Sequence, residues 1–157
     1  MFQRIQTLFL SVVGVAMIIV MTMPIWDKFS TDGTQSAHLT ALKLTYQQGI
    51  TANVTPIWYI ALLAGICAAV AVFTIFQYKN RTQQAILCAI NSILMTVLTG
   101  LVMYFAVGQA KPLFEPAEMG QFGTGFYGLI TAIVANFLAN RFIRKDEKFV
   151  RSQDRMR

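Results

Sequence analysis

Charge is scarce in this 157-residue sequence: 13% of residues are Asp, Glu, Lys or Arg, 55% are hydrophobic, and the mean hydropathy is +0.54. Soluble domains carry about 25% charged residues, so the composition excludes an ordinary soluble fold and points to a membrane protein. Histidine occurs once and cysteine twice. Without a Cys/His cluster there is no structural zinc site to expect. Cys67 and Cys88 fall inside apolar runs at different depths, which argues for small buried hydrophobes and against a disulfide. The apolar runs also lack Asp, Glu, Lys, Arg and His in their interiors. Proton paths and membrane-embedded active sites depend on such groups, so a pump, a proton-coupled transporter and an intramembrane enzyme are disfavoured. Ser11, Ser92, Cys67 and Cys88 have no base nearby in sequence to activate them. No repeat or broken-helix signature is present, and no cofactor is expected.

What the sequence has is four apolar runs, at residues 5–26, 57–78, 85–107 and 125–143. Each is long enough to cross a hydrocarbon core of ~30 Å. The first is too long for a signal peptide, and no Ala-x-Ala-like cleavage site follows Met23-Pro24. The predicted fold is therefore all-α: a four-helix transmembrane bundle over 1–143, followed by a basic tail over 144–157. Residues 27–56 form a larger first loop on the far side of the membrane. In it, alternating Leu42, Leu44 and Tyr46, then Gln48-Gly49 and a second apolar-polar run, predict a short hairpin. His38 is read as a solvated loop histidine rather than a pH-sensitive contact. Residues 79–84 read as a tight basic turn, and 108–124 as a loop in which Glu115 and Glu118 are a solvated edge, not an acid/base pair.

Within the bundle, small residues at four-residue spacing, Ala61, Gly65 and Ala69, predict a face of the second span that another helix approaches closely. Asn91 and Asn136 come to similar depths on the third and fourth spans, roughly 9 to 11 Å from the basic ends at ~1.5 Å per residue. An amide in hydrocarbon needs a partner, so the two are expected to bond each other and fix register.

Ten of the thirteen Lys and Arg residues lie at the termini and the middle turn: Arg4, Lys79, Arg81 and the seven from Arg141 to Arg157. Lys28, Lys43 and Lys111 lie opposite. The positive-inside rule then places both termini in the cytoplasm. The fourth run passes unbroken into the tail, where Phe142, Phe149 and Met156 recur every seven residues beside Arg144, Lys145, Lys148, Arg151 and Arg155. An apolar stripe with a basic face lies on anionic lipid headgroups, docks in a partner's groove, or is only a topogenic charge cluster. The cations flank apolar runs and are not interleaved with stacking aromatics, so dedicated nucleic-acid binding is not expected.

The stretches MFQRIQTLFL at 1–10 and LANRFIRKDEKFVRSQDRMR at 138–157, with four runs between them, resemble a family of uncharacterised four-span bacterial membrane proteins. Phe2 and Phe142 stand where that family's pattern has smaller aliphatic residues. The resemblance implies an inner-membrane location and supplies no catalytic residues. The function expected is a non-enzymatic accessory or scaffold subunit of a larger inner-membrane assembly, in envelope biogenesis or protein export. The alternative is a binder or carrier of a lipid or small apolar solute.

Overall fold

The computed structural model describes residues 2–30, 34–78, 80–110, 113 and 120–154, with side chains from 5 to 147 within those ranges. Four helices dominate: α1 (Phe2–Thr22), α2 (Tyr59–Phe76), α3 (Arg81–Met103) and α4 (Thr124–Asp154). Each is long and apolar enough to cross a membrane. They alternate in direction and form a ring in which α1 packs against α4 and α2, and α3 packs against α2 and α4.

For helices of this length and apolarity in lipid, whose tails are as apolar as Leu, burial alone would not drive association, and close backbone approach would have to. The buried positions reflect this: Ala16 on α1, Ala61, Ala64 and Ala71 on α2, and Ala132, Ala135 and Ala139 on α4. A Cβ added at Gly128 would come within 3.2 Å of the Ala16 carbonyl oxygen, so glycine sets the α1–α4 separation there. The outer surface carries Leu8, Val15, Ile18, Leu62, Phe73, Ile93, Val134 and Phe137, all exposed. Hydroxyls on these helices return to their own backbone, as Thr96 does to the Ser92 carbonyl (2.9 Å) and Thr131 to that of Tyr127 (2.8 Å). In an apolar setting that is how a hydroxyl is satisfied without a partner helix.

The all-α expectation is corrected by a five-stranded antiparallel sheet of order β4-β3-β2-β1-β5. Its strands are β1 (Trp26–Phe29), β2 (Gln35–Leu39), β3 (Lys43–Gln48), β4 (Thr51–Pro56) and β5 (Gln121–Phe122). The expected hairpin is β3–β4, turning through Gly49 at φ 58°. A two-residue turn with Gly at its first position follows the strands' twist, and only Gly adopts that φ without strain. The missed part is β1, β2 and β5, which the chain brings to the same sheet. Period-two alternation puts Trp26, Lys28, Ala37, Leu39 and Leu44 on one buried face, packed over the helix ends in one core with Ile57, Ile60, Ala106 and Ala110. The region has a core because this face and the helix ends cover each other.

The segment read as a loop from 108 is likewise structured in part. α3 runs straight into a π-helical stretch, Tyr104–Ala110, and β5 pairs with β1 through Trp26 with Phe122 and Asp27 with Gln121. Trp26, the last residue of the first apolar run, is buried in β1. Glu115 and Glu118 lie outside the described residues.

Candidate functional site

Three parts of the molecule carry polar chemistry or unpartnered surface. The first is a layer inside the bundle. Leu10, Cys88, Ala139 and Ile143 form a small apolar cluster toward the termini, separate from the main core that begins with Val13, Met95 and Ala135. Asn91 and Asn136, each 1% exposed, occupy the level between the two. The expected bond between them is corrected: Asn136 Nδ2 donates to the Cys88 carbonyl (3.0 Å) and to Ser92 Oγ (2.8 Å), while both polar atoms of Asn91 lack a partner among the described residues. Asn136 does link α4 to α3, because its side chain reaches the turn where Cys88 and Ser92 face it. Asn91 lies on α3's buried stripe with Gln84, Cys88 and Met95. Nearer the start of α3, polar burial is supported at Gln84, whose Nε2 donates to the Thr74 carbonyl of α2 (3.2 Å).

On α2 the buried stripe runs through Ala61, Ala64, Cys67 and Ala71. Gly65 is half-buried, with Met21 Cε 4.0 Å from where its Cβ would stand, and Ala69 is exposed. A helix turns 100° per residue, so a strict four-residue stripe drifts off a contact that alternates steps of three and four. Cys67 and Cys88 are free and buried.

The second part is the end that gathers the termini. α4 continues without a break to Asp154, and its extension is tied to the start of α3. Arg81 pairs with Asp146 at 3.2 Å and reaches the Asp146 carbonyl at 3.5 Å, and Thr82 Oγ1 donates to Glu147 Oε1 (3.2 Å). Phe142, predicted for a partner or lipid, stacks on Phe9 of α1 with ring centroids 5.7 Å apart, and Ile143 is fully buried. Arg144 and Lys145 are exposed, and Arg144 Nε is held by Asn140 Oδ1 (3.1 Å). The side chains of Lys148, Phe149, Arg151 and Arg155 lie outside the described residues. Thus the first turn of the stripe belongs to the bundle, and the cations beside it face outward.

The third part is the sheet end. Its outward face pairs His38 with Asp27 across β1 and β2 at 2.8 Å, with Phe29 edge-on to the imidazole (5.2 Å). His38 is therefore a strand residue with a carboxylate neighbour, where the sequence read a solvated loop. β4 is exposed at every position and forms one edge of the sheet. At the other edge, Gly123 and Gly125 N–H groups donate to the Ile25 and Pro24 carbonyls, both at 2.9 Å. A Cβ at Gly123 would run into the Pro24 carbonyl oxygen, and one at Gly125 would stand 2.9 Å from the Met23 and Pro24 oxygens. The sequence signal for this crossing is the spacing of Gly120, Gly123, Gly125 and Gly128, which the hydropathy reading treated as part of a loop and a span.

A ring of four alternating apolar helices capped at one end by an antiparallel sheet defines a four-helix protein of membrane-spanning proportions with a folded β region between its helices. The chain belongs to the family described as a domain of unknown function (DUF4293), which matches residues 2–156. No curated protein matches it.

Proposed function

We propose that this protein is a non-enzymatic accessory or scaffold subunit of a larger assembly in a bacterial inner membrane. Its four helices span the bilayer with both termini in the cytoplasm and the sheet on the periplasmic side, because ten of thirteen Lys and Arg lie toward the termini and the middle turn. The observation that carries the subunit reading is β4. It is an uncharged edge strand, Thr51–Pro56, exposed along its whole length, with Ile50 fully exposed at its tip and Val54 exposed along it. Such an edge offers unpaired backbone groups to another strand, and chains without a partner usually protect it with charge or a covering loop. The basic extension of α4, with Arg144 and Lys145 outward, adds a cytoplasmic contact for other inner-membrane subunits and anionic headgroups. Envelope biogenesis or protein export is the setting in which both faces find partners.

The test is native mass spectrometry of protein gently solubilised from its own membranes. A stoichiometric foreign subunit that is lost on Val54→Lys supports the proposal; a lone monomer in wild type overturns it. The second reading, carriage of a lipid or small apolar solute, draws on an apolar groove of about 530 Å³ between α1 and α4, lined by Leu8, Val15, Ile19 and Tyr127. A lone monomer retaining an apolar ligand in that groove would favour it.

A further inference from the structure

A second groove, between α3 and α4 at the end that gathers the termini, differs from the first in having a charged mouth. It encloses about 540 Å³. Its floor is Ala85, Ile86, Ala89, Ile90 and Ile93 of α3, and its mouth is Thr82, Arg144 and Glu147. Ala85 and Ala89 are small, so the isoleucines stand as ridges beside a trough, and Ile86, Ile90 and Ile93 remain exposed. From Thr82 to Ile93 the helix rises roughly 16 Å at ~1.5 Å per residue. That is about half of a ~30 Å hydrocarbon core, the depth of one leaflet.

At the mouth, Nε of Arg144 is anchored by Asn140 Oδ1 (3.1 Å), which fixes where the guanidinium sits. A guanidinium keeps further N–H donors in a planar fork that matches phosphate oxygens. Glu147, the acidic residue of the lining, accepts from Thr82 Oγ1 (3.2 Å) and so is directed at α3. Asp146 is taken by Arg81 (3.2 Å). Arg141, three residues before Arg144 on the same helix, and Lys145 beside it are both exposed, so the surface at this end favours an anion. A soluble anion would have no use for the apolar trough, and an uncharged solute none for the arginine.

We propose that the α3–α4 groove holds one anionic phospholipid, its phosphate on Arg144 and an acyl chain along Ile86, Ala89, Ile90 and Ile93. The lipid is a structural ligand of the leaflet on the side of the termini, and the inference needs the helices to span a bilayer but does not depend on the accessory role. Among the described residues, the lining of the α1–α4 groove has no charged side chain and carries no such selection.

The full chain in mild detergent is mixed with phosphatidylglycerol or phosphatidylcholine of matched chains and read by native mass spectrometry. One phosphatidylglycerol should be retained in preference to phosphatidylcholine. Arg144→Gln should weaken its retention about tenfold, the order of a lost charge-assisted hydrogen bond, with Arg144→Lys between the two. Ala89→Trp, which fills the trough, should release the lipid with Arg144 intact. Circular dichroism of each variant checks that the helices persist, and Ile86→Asn replaces Ala89→Trp where they do not. Equal retention of the two lipids, undiminished binding by Arg144→Gln, or displacement by inorganic phosphate alone would overturn the proposal. Because foreign subunits register in the same spectra of native material, loss of the lipid site and loss of the subunit reading are separate results.

Discussion

At the scale of single residues, the two buried asparagines separate what a sequence conveys from what packing decides. Both are inside, as an amide in an apolar helix should be, yet only Asn136 reaches across to α3. Asn136→Leu therefore removes a cross-helix link and should cost ~0.6–2 kcal/mol. Asn91→Leu buries an apolar side chain where an unpaired amide stood and should be neutral or stabilising. Unfolding in micelles measures both, and the double variant should be additive within ~0.5 kcal/mol. A loss at Asn91 as large as at Asn136 would mean that its amide is served by internal water. Gly123 is the other residue on which a local geometry turns. Its N–H meets the Ile25 carbonyl, and an added Cβ would run into the Pro24 carbonyl oxygen, a backbone atom that cannot swing away. Gly123→Ala should destabilise the protein by ~1–3 kcal/mol or more. Loss of hydrogen-exchange protection in 24–27 and 121–123 would localise the damage, and an unchanged protein would show that the crossing has slack.

At the scale of elements, α4 runs on past the apolar segment and ties its extension to the start of α3. A helix of 31 residues is ~46 Å long at ~1.5 Å per residue, so it outlasts a ~30 Å core and must find support beyond it. Asp146 and Glu147 supply that support by reaching Arg81 and Thr82 at the start of α3. The Arg81–Asp146 pair is partly exposed, so a double-mutant cycle with Arg81→Gln and Asp146→Asn should return only ~0.2–1 kcal/mol. A much larger coupling would indicate that the pair is shielded, as it would be under a bound partner. The sheet was only partly legible for a related reason. β3 and β4 are sequence neighbours with alternation and a Gly turn, and these local signals predict a hairpin. β1 is four residues long, and β5 is two residues supplied from beyond α2 and α3. Neither has a pattern of its own; each is a strand because the helix ends hold it beside the next.

At the scale of the whole molecule, the helices' alternating directions place the α1 start, the α2–α3 turn and the α4 extension together and the sheet opposite. If the proposed orientation holds, an impermeant maleimide applied to intact cells should label Asn53→Cys in exposed β4 and leave Asn80→Cys unlabelled until the membrane is opened. Cys67 and Cys88 are buried and should give no background. The reverse pattern would invert the molecule and move β4 into the cytoplasm.

Hydropathy and charge placement, which need no knowledge of neighbours, determined the four helices and the asymmetry of cations between the two ends. Composition alone favours a helix wherever some twenty apolar residues must satisfy their own backbone in lipid. The tertiary structure decided which face of α2 packs, which asparagine has a partner, that Phe142 turns inward to Phe9, and that Trp26 pairs with Phe122 of β5. Those outcomes depend on distances between segments far apart in the chain, and a hydrogen bond or a close glycine contact exists only once both sides have been placed.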